Sequence, residues 1–433
     1  MKNIKINTGK SAAASRNSAA IRKKVFVMMS GGVDSSVAAL LLAKNKKYEV
    51  IGCFIKGYNI DGCQEADVED ARRTAEFLKI PFYVIDLEKE YKKSVVDYMI
   101  DGYRKGITPN PDVMCNKKIK FGLFLEKALK MGVDFVATGH YVRLASRYIS
   151  DGTGRPLAPA ASGGLDSRSD GSDFVGDQAR RSSETFRTKH TEKLQKVYSL
   201  LEAKDKNKDQ SYFLWTLTQK QLKHCLFPIG DYLKSEVREI ARKAGLPTAD
   251  KKDSQGICFL GMVKFKDFLK QYLPVKKGDV LDVDGKKIGE HDGVWFYTIG
   301  QRHINANFQF SISNFKKNRK PYYIAEKNIK TNTLVVAEGN DNPILYKKEI
   351  ESTDVNFINP IIYNSKFMIP VYVRVRYRQP LVGAKLIIEK SKFKIIFNEP
   401  QKFVAPGQSA VFYSNERRNL PAGRQVLGGG III

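Results

Sequence analysis

Cysteine is scarce in this sequence, and no two cysteines are close neighbours. The 433 residues contain five of them, and no pair is spaced as CxxC. This spacing argues against a zinc ribbon or an iron–sulfur site, and an odd count in a chain of this size indicates reduced thiols in a reducing compartment. No apolar run approaches the roughly 20 residues that span a bilayer, so we expect no membrane segment. A GxxxxGK[ST] string is also missing, which excludes a Walker A phosphate loop.

Acidic residues are outnumbered by basic ones. Lys and Arg total 73 against 46 Asp and Glu, which gives a net charge of +27. Such a surplus favours a polyanionic partner through its electric field and through counterion release, although a general bias toward lysine gives the same composition. Residues 1–23 are basic and contain no carboxylate side chain. We interpret them as the disordered leader of a cytoplasmic protein, with a mitochondrial transit peptide as the open alternative.

The hydrophobic pattern divides the rest of the chain into three parts. In residues 24–210, short apolar runs alternate with helical periodicity, which predicts an α/β domain with a parallel sheet. Residues 149–190 interrupt this part with a Gly-, Ser- and Asp-rich stretch that we interpret as a disordered insertion. Residues 211–277 have mainly helical periodicity and form the predicted central domain. Residues 278–433 carry short strands and turn signals, which predict a C-terminal β-barrel.

One strand of the predicted barrel alternates clearly with period two. In residues 371–378 the odd positions are apolar or aromatic, and the even positions from 374 onward are arginine. Successive side chains of a strand point to opposite faces of the sheet. We therefore expect the arginines on a basic outer face.

The first string with chemical potential is rich in glycine. Residues 30–36 read SGGVDSS and lie between the first predicted strand and the first predicted helix. Glycines let backbone N–H groups approach a phosphate, and the helix N-terminus adds its dipole. Ser30, Ser35 and Ser36 can donate hydroxyl hydrogen bonds, and Asp34 can hold magnesium or orient the loop. A plain strand–helix turn is the alternative, but the complete string in this position resembles the nucleotide loop of the ATP pyrophosphatases.

A second string places a cysteine beside an aspartate. Residues 110–116 read NPDVMCN, and three lysines follow within four positions. The prolines at 109 and 111 predict an extended loop, so Cys115 falls near the start of the next helix, where the dipole and the lysines favour the thiolate. Asp112 is placed to move a proton. The alternative is a helix-starting turn with Cys115 as a small buried side chain.

A third string, DSQGICFLG at 253–261, puts Cys258 in a glycine-punctuated loop. Taken alone, a buried structural cysteine is the more common outcome, but two loop cysteines suggest a pair able to alternate between persulfide, thiol and disulfide. ATGHY at 137–141 ends a predicted strand, and strand carboxyl ends bind ligands in open α/β sheets. KDQS at 208–211 and YTIGQR at 297–302 suit phosphate or base contacts, or equally a solvated surface.

Taken together and in this order, the strings resemble one family. SGGVDSS, TPNPDVMCNKKIKF, ATGHY, KDQSYFL, DSQGICFLG, YTIGQR, RVRYRQ and PGQSAVFY are similar to the motifs of the tRNA-uridine 2-sulfurtransferases of the MnmA type. The resemblance covers roughly residues 24–148 and 195–433. It implies a pyrophosphate-loop domain of the adenine nucleotide alpha hydrolase-like fold, a small helical central domain that binds tRNA and carries the second cysteine, and a C-terminal antiparallel β-barrel.

The resemblance also implies a reaction. ATP would adenylate the 2-oxygen of the wobble uridine, and sulfur would then replace that oxygen to give 2-thiouridine. Cys258 would carry a persulfide received from a cysteine desulfurase or a sulfur relay protein. Cys115 would be the catalytic nucleophile, able to form a disulfide with Cys258, and Asp112 the general acid/base. The implied tRNAs are those for Glu, Gln and Lys. Mg²⁺ would arrive with ATP near Asp34, the protein would hold no metal of its own, and we expect a monomer.

Two sets of binding residues follow from the same resemblance. The implied ATP-binding residues are Met28, Met29, Ser30, Gly31, Gly32, Val33, Asp34, Ser35, Ile55 and Gly139. The implied tRNA-binding residues are Asn110, Pro111, Asp112, His140, Lys208, Asp209, Gln210, Arg376, Tyr377 and Gln408. Residues 55–58 read IKGY where the family usually reads MKNW, so only a backbone contact to adenine is expected there. We expect the remaining cysteines, Cys53, Cys63 and Cys225, to pack in cores.

Two other interpretations stay open at this point. One is another pyrophosphate-loop enzyme that adenylates a small molecule or a different tRNA base. Small-molecule synthetases need neither the cysteine pair nor a basic β-domain, and cytidine thiolases use CxxC ligands that this sequence lacks. The other is a non-catalytic RNA-binding protein with an inactive nucleotide fold, which the intact SGGVDSS string and both cysteines argue against.

Overall fold

The computed structural model describes residues 22–60, 62, 64–150, 194–252, 263–302, 320–358, 368–389, 392–415 and 423–433. Cys63, Cys258, residues 1–21 of the predicted leader and nearly all of the predicted insertion lie outside the described residues.

The stretch of the chain up to residue 270 mostly alternates strands and helices, as the hydrophobic pattern of residues 24–210 predicts for its larger part. In chain order its elements are β1 (Lys23–Met28), α1 (Val33–Ala43), β2 (Tyr48–Lys56), α2 (Gln64–Phe77), β3 (Phe82–Asp86), α3 (Glu88–Tyr91), a π-helical turn (Lys92–Val96), α4 (Asp97–Arg104), α5 (Pro111–Met114), a π-helical segment (Cys115–Phe124), α6 (Leu125–Lys130), β4 (Phe135–Thr138), β5 (Val142–Ser150), β6 (Leu194–Glu202), α7 (Gln219–Leu222), β7 (Cys225–Leu226), α8 (Lys234–Lys243) and α9 (Phe265–Lys270).

Five of these strands form one parallel sheet, in the order β3-β2-β1-β4-β7. Side chains of β1 alternate between two cores. Val25 and Val27 pack with residues of α1 and α2 on one face, and Phe26 and Met28 pack with α4 and the π-helical segments on the other. Helices therefore cover both faces, which is why the central strand is a continuous apolar run.

β5 and β6 form an antiparallel hairpin in continuous register from Val142 opposite Glu202 to Ser150 opposite Leu194. Two elements of the segment predicted as the central domain belong to the parallel-sheet layer. β7 is an edge strand of that sheet, and α8 packs on α1 through Val237 and Ala241.

The strands beyond residue 277 form two separate sheets, a division that the sequence pattern does not reveal. β8 (Gly278–Leu281), β9 (Lys287–His291), β10 (Tyr322–Asn328) and β11 (Thr333–Glu338) make a four-stranded sheet in the order β10-β11-β8-β9. The other six strands close into an antiparallel barrel in the order β12-β15-β14-β13-β16-β17; they are β12 (Tyr346–Phe357), β13 (Met368–Arg374), β14 (Val382–Glu389), β15 (Lys392–Lys402), β16 (Ser409–Ser414) and β17 (Val426–Ile432). The predicted α/β domain and C-terminal antiparallel barrel are confirmed.

The expected basic outer face of residues 371–378 is wrong for Arg374. Its guanidinium is buried and bonds Asp209, because this side of the barrel packs against the parallel-sheet domain. Arg376 is half-buried for a similar reason, and only Arg378 is exposed. None of the described helices is both long enough and apolar enough to cross a lipid bilayer.

Candidate functional site

The glycine-rich loop and the ATGHY string meet at one edge of the parallel sheet. β1 and β4 are parallel neighbours, so residues 29–32 and 139–140 leave the sheet at the same edge. The contact is close, because a Cβ atom added to Gly139 would lie 2.7 Å from the backbone nitrogen of Ser35. This edge is where open α/β sheets bind ligands.

The loop adopts a conformation that only glycine allows at position 31. Gly31 has φ of +73°, and a Cβ atom there would lie 2.3 Å from the carbonyl oxygen of Asp67. The Ser35 hydroxyl donates to the carbonyl of Gly32 (3.0 Å) and accepts from the amide of Ser30 (3.1 Å). The N-cap residue of α1, Gly32, supplies no side-chain cap. The first N–H groups of this 11-residue helix therefore face the loop without a capping oxygen, as an anion-binding helix start requires.

Asp34 is fixed by two residues that are distant in sequence. Lys234 Nζ lies 2.7 Å from its Oδ1 and 2.8 Å from its Oδ2, and the Tyr141 hydroxyl donates to Oδ1 at 2.7 Å. An ammonium group facing both oxygens does not fit a carboxylate that ligates a cation directly. Among the described residues, no group of three or more His, Cys, Asp or Glu side chains is placed to hold a metal ion. Of the two roles expected for Asp34, this geometry supports orienting the loop.

The other implied ATP-binding residues surround the same edge. Met28, Met29 and Val33 are buried, and Ile55 is half-buried near the end of β2. The hydroxyl of Ser36 is fully buried and bonds Gly32 and Thr248, so it belongs to the support of the loop.

Cys115 lies near a helix start, as predicted, but the helix already begins at Pro111, so the local geometry is the helix-starting turn given as the alternative to an extended loop. The Asn110 side chain accepts a hydrogen bond from the Val113 amide (3.2 Å) and caps α5, and Pro111 occupies the first helical position. Asp112 therefore lies in the first turn, and Cys115 lies at the end of that turn. The Cys115 side chain is 5% exposed and packs in the large apolar core of the domain.

Lys120 connects this string electrostatically to the ATGHY string. Burial raises the pKa of Asp112 above its usual value, and the positive charge of Lys120 opposes that shift. Burial also holds the pKa of His140 well below 6.5, and Lys120 lowers it further. His140 Nδ1 lies 2.7 Å from Thr138 Oγ1. The site thus contains a neutral imidazole and a carboxyl group that keeps its proton to higher pH than an exposed aspartate.

The KDQS string is placed differently from what the resemblance implies for Asp209. Its carboxylate is completely buried and accepts hydrogen bonds from Ala203 N, Ser211 N, Ser211 Oγ and Arg374 Nη1. No oxygen of Asp209 is exposed for a direct contact with RNA. Gln210 Oε1 accepts from the Tyr141 amide at 2.9 Å, and Lys208 is half-buried.

Three implied tRNA-binding residues of the barrel lie at its junctions with the rest of the chain. The Arg376 guanidinium donates to the carbonyl of Ile299 in the YTIGQR string. The Tyr377 ring packs against Phe213, with ring centroids 4.5 Å apart. Gln408 Nε2 donates to the carbonyl of Thr108 at 2.9 Å. All three therefore line the boundary between the barrel and the parts that precede it.

Cys258 lies outside the described residues, but both flanks of its string are described. Lys251 pairs with Asp67 (2.7 Å) and Asp70 of α2, beside the contact of Gly31 with Asp67. On the other side, the Phe265 ring packs edge-on against Tyr103 of α4, with centroids 5.2 Å apart. Cys53, Cys115 and Cys225 are buried thiols that form no disulfide within the described part of the chain.

Sequence reasoning gives no role to Lys234 or Tyr141. Lys234 starts a helix far from the loop that it contacts, and nothing in its local string signals that pairing. Lys120 is one of several lysines in its string. Its place on the same helical segment as Cys115 is the one signal that could have distinguished it.

A parallel sheet with a glycine loop after its first strand, joined to two β-domains, defines a nucleotide-binding α/β enzyme with appended β-domains. Family models match nearly all of the chain: a "tRNA methyl transferase HUP domain" over residues 23–262, a "tRNA methyl transferase PRC-barrel domain" over 266–338 and an "Aminomethyltransferase beta-barrel domain" over 347–432.

Relatives that match nearly the whole chain indicate the same family. The tRNA-specific 2-thiouridylase MnmA of Bacillus licheniformis is 40% identical over 417 residues, covering 94% of each chain. Those of Streptococcus thermophilus and Geobacillus thermodenitrificans are each 39% identical, covering 95% and 96% of each chain. The chain belongs to the MnmA family of tRNA-specific 2-thiouridylases, which are transferases.

Proposed function

We propose that this protein uses ATP to replace the 2-oxygen of the wobble uridine of tRNA with sulfur. The observation that carries the proposal is the contact of Gly139, which precedes His140, with Ser35 of the SGGVDSS loop, in a chain whose relatives are named tRNA-specific 2-thiouridylases. The charge of Lys120 acts on both His140 and Asp112, which supports a place for the Asp112–Cys115 helix start near the same site. The net charge of +27 suits a tRNA substrate.

In the first step, the phosphates of ATP bind at the N-terminus of α1. The 2-oxygen of the uridine attacks the α-phosphorus, the bond to the β-phosphate breaks, and pyrophosphate leaves. The base loses its N3 proton as the adenylated form is made, and Asp112 is the group proposed to move it. Magnesium would be held by the phosphate oxygens of ATP, since both oxygens of Asp34 face Lys234.

In the second step, the terminal sulfur of a Cys258 persulfide attacks carbon 2 of the base, and AMP leaves with the oxygen. The Cys115 thiolate then attacks the Cys258 sulfur, which releases 2-thiouridine and leaves a Cys115–Cys258 disulfide. A small thiol or thiol protein must reduce this disulfide before the next turnover. Lys251, two positions before the Cys258 string in sequence, pairs with Asp67 beside Gly31, which supports a role for this string in the site.

The proposal includes a persulfide-carrying donor protein, a desulfurase or a relay protein, and a reducing compartment such as the cytoplasm. A monomer suffices, because the nucleotide loop and Cys115 are in one chain.

Nucleoside mass spectrometry tests the reaction. Purified protein, ATP, undermodified tRNA and a persulfide donor should yield 2-thiouridine. Cys115→Ser and Cys258→Ser should each abolish the product, and Asp112→Asn should lower the rate by about 10²–10⁴-fold. Cys225→Ser is the matched control, because Cys225 is a buried thiol with no proposed role. Full thiolation by both Cys115→Ser and Cys258→Ser would rule out the assigned cysteine roles.

ATP–pyrophosphate exchange separates this function from its rival. Exchange that depends on added tRNA supports adenylation of a tRNA base. Exchange that proceeds without tRNA would instead favour a synthetase acting on a small molecule.

A further inference from the structure

We propose that Gln408 and Gly407 of the barrel are positioning residues for the catalytic loop. The barrel loop is residues 405–409, and the catalytic loop is residues 108–112. This inference rests on the proposed function, in which Asp112 and Cys115 act on the substrate. It assigns to Gln408 a part in shaping the site, in place of the direct contact with tRNA that the family resemblance implies.

The two loops are joined through the backbone of the catalytic loop. The Thr108 amide donates to the carbonyl of Pro406 at 2.7 Å. In the opposite direction, Gln408 Nε2 donates to the carbonyls of Thr108 (2.9 Å) and Pro109 (3.4 Å). The side-chain amide of Gln408 therefore has both of its donors directed at the catalytic loop, 300 residues away in sequence.

Gly407 sets how closely the loops approach. Its φ is +89°, and a Cβ atom there would lie 2.9 Å from both the carbonyl carbon and the carbonyl oxygen of Thr108. A backbone neighbour cannot move aside as a flexible side chain can. Any larger residue at 407 must therefore push the loops apart and also adopt a strained backbone conformation.

The other side of the catalytic loop is also fixed. A Cβ atom on Gly102 of α4 would lie 2.7 Å from Pro109 Cγ, so Pro109 is in tight contact with that helix. On the barrel side, the hydroxyl of Tyr212 donates to the carbonyl of Ser409 in the barrel loop at 3.0 Å. The catalytic loop is thus held between α4 and the barrel loop.

The position of this loop decides where α5 begins. Asn110 caps the helix, and Asp112 and Cys115 follow within its first turn and a half. A displacement of about 1 Å at the cap moves both functional side chains by a similar amount, and misplacement of this size costs about 10²-fold in rate.

The first experiment separates positioning from tRNA binding. For Gln408→Ala in the full-length protein, we expect the single-turnover thiolation rate at saturating tRNA to fall at least tenfold, while the Kd for tRNA changes less than threefold. Gln401→Ala is the matched control, because Gln401 is a barrel glutamine whose own amide donates to Glu399 and Pro400. A weakened Kd with an unchanged rate would overturn the proposal and establish Gln408 as a direct tRNA contact.

The second experiment needs no enzymatic activity. The alkylation rate of Cys115 by N-ethylmaleimide, measured by peptide mass spectrometry, reports on the packing of the first helical turn. We expect Gln408→Ala and Gly407→Ala to increase it at least tenfold and to leave the alkylation of Cys225, another buried thiol, unchanged.

Gly285→Ala is the control for backbone strain. Gly285 has φ of +82° and no atom within 4 Å of a Cβ position. Alanine at 285 would therefore meet the same backbone strain as alanine at 407 but no steric collision. Unchanged Cys115 alkylation in Gln408→Ala, or equal increases at Cys115 and Cys225, would overturn the inference. If thiolation fails in the wild-type protein while alkylation behaves as expected, the proposed function fails and the positioning contact stands.

Discussion

Two ion pairs join distant parts of this chain, and they differ in how far water reaches them. In the pair between Lys234 and Asp34 at the nucleotide loop, the side chains are 13% and 33% exposed. In the pair between Arg374 and Asp209 at the barrel junction, they are 9% and 0% exposed. A partly hydrated pair can exchange partners when a charged ligand arrives, whereas a buried pair is costly to separate. The first therefore suits a binding site, and the second suits a fixed junction.

The largest effect should come from breaking the buried pair. Arg374→Met leaves the buried carboxylate of Asp209 without its cation, which costs about 3–5 kcal/mol of unfolding free energy. Urea denaturation followed by fluorescence measures it. Arg378→Met removes an exposed arginine shortly after β13 and serves as the control. If both variants lose the same stability, the junction does not depend on this pair.

Burial of His140 predicts a smaller effect that depends on pH. Its pKa in the folded protein is well below 6.5, so below pH 6.5 the unfolded chain binds a proton that the folded chain does not. Stability should therefore fall as the pH falls, by at most about 1.4 kcal/mol per pH unit from this group. His140→Gln should flatten the pH dependence of stability below pH 6.5, which urea denaturation at a series of pH values measures. If the stability of His140→Gln falls as steeply with pH as that of the wild-type protein, burial of His140 is not the cause of the dependence.

Breaking the hydrated pair should change ligand binding more than stability. The proposed function places the phosphates of ATP at this loop. Lys234→Met would leave the Asp34 carboxylate unbalanced there, so we expect the KM for ATP to rise roughly tenfold, while stability changes by less than about 1 kcal/mol. Steady-state kinetics and thermal denaturation measure the two quantities. Lys243→Met, on the exposed side of the same helix, is the control. An unchanged KM for ATP would show that Asp34 does not sense the phosphates.

The smallest effect is expected at the exposed pair of Arg72 and Glu69. Its hydrogen bonds lower the pKa of Glu69 to about 2, yet both side chains face water. Arg72→Ala should leave the Tm unchanged within the precision of a thermal scan, because an exposed pair gains little over its hydrated ions. A clear loss of Tm would mean that solvent exposure does not determine the relative contributions of these three ion pairs to stability.

Local pattern predicted the parallel-sheet domain well. The strand at Val25 was predicted from its apolar run, whereas the helix start at Pro111, capped by Asn110, had been given only as the alternative to an extended loop. The helical segments between β3 and β4 include two π-helical stretches, Lys92–Val96 and Cys115–Phe124, that no local signal marked.

Contacts between domains could not be predicted in the same way. Period-two alternation separates the two faces of a strand but does not say which face another domain covers, and the error for Arg374 follows from that. The partners of Lys234 and Gln408 lie 200 and 300 residues away. Such pairings depend on how the folded domains pack against each other, and the spacing of residues within one short string does not predict that packing.

The hairpin of β5 and β6 makes this chain suitable for carrying a guest protein. Ser150 and Leu194 are paired in register across the two strands, so the two ends of the segment 151–193 are attached at adjacent points. The free-energy cost of closing a loop, which is entropic, grows slowly with loop length, by about 0.6 kcal/mol for each doubling. A fluorescent reporter or affinity module whose own termini are close together can replace residues 151–193. The paired strands β5 and β6 would then connect it to the domain.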